Sequence, residues 1–173
     1  MNSRMVLVPL IGGLLLVGCM KYTLEAKVYD GLPNPLIRIE QQMRVTTLDV
    51  TRVRWEGGES KRQLVWLIVA KDERSPPYLN AIRYGVVPEG HKEAIKAAKL
   101  ELGYYSIDIV WSPGPVSALG NFIVANDKDG GRVILNVRIE RDFIGFHRCL
   151  NQNRFDKDKI LSHCQGEGWT VPR

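Results

Sequence analysis

The chain lacks the short motifs that announce common chemistries. There is no Gly-x-Ser-x-Gly elbow for a nucleophilic serine and no His-Glu-x-x-His for catalytic zinc. A phosphate-cradling Gly-rich loop with lysine and a dinucleotide fingerprint are also missing. Only three histidines and three cysteines occur among 173 residues, so there is little material for a triad or a metal cluster. Internal repeats and low-complexity tracts are absent. The charge is mildly basic, with 24 Lys and Arg against 19 Asp and Glu. A net +5 spread along the chain is too weak a signature for nucleic-acid binding. The reading is therefore of a non-enzyme, with no catalytic residues, no metal and no nucleic-acid partner.

The N-terminus has one charge, Arg4, and then an uncharged stretch of 16 residues from Met5 to Met20. A membrane-spanning helix needs roughly 20. Pro9 and the Gly12-Gly13 pair weaken a long helix further. A basic start, a short apolar centre and a small residue before a cut describe a secretory signal over residues 1–18. At its end, Leu16-Val17-Gly18-Cys19 resembles the lipobox of bacterial lipoproteins. That resemblance implies cleavage before Cys19, diacylglycerol on its thiol and acylation of its new amine. Several acyl chains make a stable anchor where one does not. Met20 and Lys21, rather than aspartate, follow the cysteine. By the same resemblance this points to the outer membrane, with the domain facing the periplasm. No cofactor is expected beyond the covalent lipid.

An oxidising compartment changes the reading of the other two cysteines, Cys149 and Cys164. They are expected to form a disulfide that staples the C-terminal segment. Such a loop contributes about 3 kcal/mol in the chain-entropy picture. The competing chemistry is a zinc site using His147 and His163 as well. It requires the adjacent His163 and Cys164 to converge on one ion, and the spacing matches no common finger.

Periodicity in the body of the chain is that of strands. Leu24, Ala26 and Val28 alternate with polar residues, as do Tyr105, Ile107, Ile109 and Trp111. In the stretch Leu48 to Trp55 the alternation changes phase, which a bulge near Thr51-Arg52 would reconcile. Leu64 to Ala70 is apolar on both faces and reads as a central strand. "NDKDGG", residues 126–131, is a hairpin turn between two further strands. Residues 89–103 are rich in Ala, Lys and Glu and suggest a short helix; one helical turn is expected near Asp156 to Ser162. Eight or nine short strands with one or two short helices make a mainly β chain, a single β-sandwich or barrel-like domain. Residues 19–141 form that domain, and 142–173 are its disulfide-stapled extension. The first strand starts three residues after Cys19, so the domain lies within about 10 Å of the headgroups.

Candidate partner-binding residues come from two places. Arg38, Arg44, Arg52 and Arg54 fall on strands read as adjacent, where they would form a basic patch unless paired with Glu40, Glu56 or Asp49. Trp169, in the terminal "GEGWTVPR", would be an exposed aromatic anchor. The functional expectation is a lipid-anchored protein that binds a protein partner in the cell envelope. It would serve as an accessory of an envelope or secretion assembly, or as an immunity lipoprotein neutralising a toxin. The alternatives are an envelope hydrolase and a carrier of a small apolar ligand.

Overall fold

The structure is a computed structural model that describes residues 22–29, 31–111, 116–139, 143–165 and 169–171. The signal segment 1–18, Cys19, the turn at 112–115 and the 141/142 boundary lie outside the described residues.

The chain is mainly β. Its strands are β1 (Tyr22–Tyr29), β2 (Leu36–Arg44), β3 (Thr47–Glu56), β4 (Glu59–Ala70), β5 (Tyr78–Arg83), β6 (His91–Ile95), β7 (Gly103–Val110), β8 (Val116–Asn126) and β9 (Arg132–Asn136). After a two-residue β10 (Arg138–Ile139) come α1 (Phe143–Gln152), α2 (Lys157–His163) and a short β11 (Trp169–Thr170). The first nine strands form one sheet in the order β5-β2-β1-β8-β7-β3-β4-β6, with β9 also on β8. All pairings in it are antiparallel except β1 with β8.

The sheet curls into a half-barrel whose two ends approach each other. Tyr84, just past β5, donates its hydroxyl to Ala98 O at 2.7 Å. Its ring meets Trp66 of β4 edge-on at 5.1 Å. Val45 N bonds Pro77 O and Ala70 N bonds Thr46 O, which ties the two sides at one end. His91 adds a bond of 2.9 Å from Nε2 to Val45 O and is buried rather than solvated.

The inside of the curl is one core, built by the alternating residues read from sequence. Leu24, Ala26 and Val28 meet Tyr105, Ile107 and Ile109 there. A second core lies on the outer face at one end. There Val133, Leu135, Val137 and Ile139 pack under Phe146, Leu150 and Ile160 of the two helices. This second layer explains the phase change in β3. Leu48 and Val50 face the inner core, whereas Val53 faces the helices. The extra residue is on the partner strand: the β3–β4 register shifts between Val50 and Thr51, opposite Val65.

Three local readings need correction. Residues 91–95 are an edge strand on β4, not a helix, and the chain beyond them crosses back so that Ala98 N bonds Val65 O. An unpaired backbone beside β4 outweighed the helix propensity of Ala and Lys. Strand β4 is second from the edge of the sheet, and Leu64 is exposed. The C-terminal extension holds a full helix before the expected one. In α1, Phe143, Phe146, His147 and Leu150 recur at helical spacing and make the packed face. In α2, Asp156 caps the first turn by accepting from Lys159 N at 3.0 Å. Cys149 and Cys164 are bonded to each other, with Cα atoms 5.7 Å apart.

Candidate functional site

Strand β8 changes partner along its length. Val116 to Leu119 pair with β1, while Phe122 to Asn126 pair with β9. The change falls at Gly120, where a Cβ would stand 2.3 Å from Ala26 O. Only glycine allows that approach. The split between β1 and β9 is bridged by a side chain, Asn136, whose Oδ1 accepts from Val28 N and whose Nδ2 donates to Val28 O.

This arrangement leaves an open groove across the outer face of β5, β2, β1 and β8. It comprises two depressions of about 590 and 480 Å³ that share Glu25, Lys27 and Glu40. The first runs past Tyr29, Arg38 and Asn80. The second reaches Asn121, Asn136 and Thr170 under the β10–β11 pair. The lining is polar and of mixed charge. Lys27 pairs with Glu25 at 3.2 Å, and Arg38 stacks 5.4 Å above the centre of the Tyr29 ring.

The four arginines do not form one patch. Arg38 and Arg44 are on β2 and Arg52 and Arg54 on β3, separated by β1, β8 and β7. The expectation of adjacent strands fails because the chain passes from β2 to β3 across the end of the half-barrel, not through a hairpin. Arg38 alone of the four lines the groove. Arg44 stacks on Tyr78 and Trp111, with centroid distances of 5.1 and 6.0 Å. Arg52 is largely buried and bonds Glu101 and Leu102 O, both at 2.6 Å. None of the anticipated carboxylates holds it. Trp169 is also corrected: it is half-buried in the second core, 5.8 Å from the Phe146 ring, and not an exposed anchor. Phe146 of α1 packs against it, and the terminal stretch itself carries no sign of that helix.

On another side of the second core, β3, the start of β7 and α1 border a smaller, half-open cavity of about 220 Å³. Arg52, Arg54, Trp55 and His147 contribute to its wall. His147 is boxed by Phe143 at 4.5 Å, Tyr104 at 5.0 Å and Phe146 at 6.4 Å. Burial among these rings pushes its pKa down to about 4, so the imidazole is neutral at neutral pH. Burial likewise raises the Tyr104 hydroxyl well above its ordinary value.

Asp49 and Asp108 stand directly opposite each other on β3 and β7. Partial burial raises both carboxyls, and Asp108 raises Asp49 further, while Arg62 opposes both shifts. Thr51 Oγ1 donates to Asp49 at 3.1 Å. By local alternation Asp108 is an ordinary polar-face residue of β7; the register that pairs it with Asp49 has no local signal in the sequence. A metal site at His147 does not form. The joined sulfurs of Cys149 and Cys164 cannot serve that role as thiolates, and His163 is exposed. Among the described residues no group of three or more His, Cys, Asp or Glu could hold a metal ion. No helix among them is long and apolar enough to cross a membrane.

Comparison with known protein families, with characterised proteins and with solved structures finds no match for this chain.

Proposed function

We propose that the protein is a lipid-anchored, non-catalytic component of the cell envelope. It binds a protein partner at the periplasmic face of the outer membrane. The observation that carries the reading is the continuous polar groove over β5, β2, β1 and β8. Its amides, mixed charges and stacked Tyr29–Arg38 pair suit an extended polypeptide with charged and polar side chains. β1, which floors the groove, starts at Tyr22, close after the lipobox cysteine. A tether that short favours a partner that also lies at the membrane surface.

The test uses the full chain in its native host. A photo-crosslinker is placed at Lys27 or Arg38, and at Arg62 on β4 as a control. The reading expects one discrete protein adduct from the groove positions, none from Arg62, and loss of the adduct in Cys19→Ala, which leaves the membrane fraction. Equal adducts from all three positions, or none, overturn partner binding through this groove. Retention of Cys19→Ala in the membrane fraction overturns the anchor. The rival readings have their own signatures: an envelope hydrolase cleaves wall or lipid substrates when purified, and an apolar carrier co-purifies with lipid-like ligand.

A further inference from the structure

The cavity beside α1 is separate from the groove and differs in character. Val53, Trp55, Leu102 and Phe155 make one side of its wall apolar. Its charges do not cancel. Arg52 is neutralised by Glu101 at 2.6 Å and Glu56 by Lys61 at 3.0 Å. Arg54 lines the same cavity, is exposed and makes no direct ion pair among the described residues; Glu56 and Glu101 feel its charge, but each is already bonded to another cation. His147 is uncharged at neutral pH, so one positive charge is left over beside an apolar wall.

The wall also holds two unsatisfied buried atoms. Arg52 Nε and His147 Nε2 are both buried without a hydrogen-bond partner among the described residues. Such atoms are rare in folded proteins and each calls for an explanation. The backbone nearby is strained. Arg154 and Phe155 adopt left-handed conformations, with φ of 50° and 56°, in a loop where neither is glycine. The conformation is held by Asn126 N on Phe155 O at 2.7 Å, and it sets Phe155 against the cavity. Strain of this kind concentrates at sites that bind something. Gly103 completes the wall: a Cβ there would lie 3.0 Å from Arg52 Nε, so a larger residue would make the Arg52 side chain give by a few tenths of an ångström.

We infer that this cavity binds a small carboxylic acid as its monoanion, with the carboxylate on Arg54 and the apolar body against Trp55 and Phe155. The volume of about 220 Å³ accommodates one ring or a short branched chain. Two sources offer this chemistry: a free small acid, and the C-terminal residue of a polypeptide.

The test titrates the full chain with 3-phenylpropionate, with the tripeptide Ala-Ala-Phe, and with the amide of each. The indole N–H of Trp55, assigned with Trp55→Phe, and the His147 ring protons are followed by NMR. The inference expects saturable shifts at both residues with at least one carboxylate. Its amide and the Arg54→Gln variant should each bind about tenfold more weakly or worse, as loss of a charge-assisted pair dictates. Saturation by phenylpropionate alone assigns a free acid, and saturation by the tripeptide assigns a chain terminus. No saturable shift with either carboxylate, equal binding of the amides, or unaltered affinity in both Arg54→Gln and Arg54→Ala overturns it. Groove crosslinking is independent of these outcomes, so either result stands without the other.

Discussion

Asn136 hydrogen-bonds both backbone groups of Val28, 108 residues away, at 2.7 Å to its N and 2.8 Å to its O. An amide side chain thus does what a neighbouring strand does elsewhere in a sheet. It closes the seam that opens where β8 leaves β1 for β9. Asn136→Ala should leave that N–H and C=O without partners and lower stability by about 2–3 kcal/mol. Urea unfolding reads this directly. Unchanged stability would mean that water satisfies the seam and the bridge is incidental.

The other side of the same seam depends on Gly120. A Cβ there would overlap Ala26 O, which is backbone and cannot swing away. Gly120→Ala should therefore destabilise by more than the usual glycine effect, about 2–4 kcal/mol. The same substitution at Gly130, where a Cβ meets nothing but φ is 77°, should cost only about 1 kcal/mol.

His147 couples stability to pH. Its folded pKa is depressed from 6.5 to about 4, so the unfolded chain takes up the proton first. Stability from this group is complete above pH 6.5 and is lost as pH falls toward 4, up to about 3 kcal/mol. His147→Phe should flatten that part of the profile in paired urea titrations at pH 7 and pH 4.5. Asp49 and Asp108 have raised pKa values and therefore act in the opposite sense, gaining stability as they protonate. Parallel profiles for wild type and variant would show that His147 titrates normally.

The Cys149–Cys164 bond joins α1 to the end of α2, with 15 residues of separation. Replacing both cysteines by alanine should cost about 3 kcal/mol. Hydrogen exchange should rise first in α1 and α2, because they dock on the sheet through the second core and a few bonds from Phe155, Asp156 and Lys157 to the end of β8. Uniform acceleration across β1 to β9 would show that the helices are not a separate unit.

Phe146 is the centre of that second core and fully buried between Tyr104 and Trp169. Phe146→Ala should cost about 3–5 kcal/mol. The near-ultraviolet circular dichroism of the packed rings should weaken while far-ultraviolet strand signal stays. A loss below about 1 kcal/mol would mean that α1 is loosely docked.

Legibility followed the range of the interaction. The strands β1 and β7 show in the sequence because one face is buried along their length, which writes period two into neighbouring residues; β9 shows the same period with its faces only partly buried. The helix α1 was hidden although Phe143, Phe146, His147 and Leu150 carry its pattern. The segment 91–95 shows the reverse case, helical by composition and strand by opportunity, because β4 offered a free edge.

What the sequence determined by itself was a mainly β chain, the pairing of its last two cysteines and the alternation that fills the inner core. The β character and the core alternation follow from local periodicity; the cysteine pairing follows from the sequence once Cys19 is set aside for lipid, as its resemblance implies. Which strands lie side by side was decided by tertiary structure. That ordering put Arg38 on the groove and Arg52 and Arg54 on the cavity beside α1, set Asp49 opposite Asp108, and half-buried Trp169. Strand order depends on contacts between residues far apart in the chain, such as Asn136 with Val28, and no short stretch of sequence encodes them.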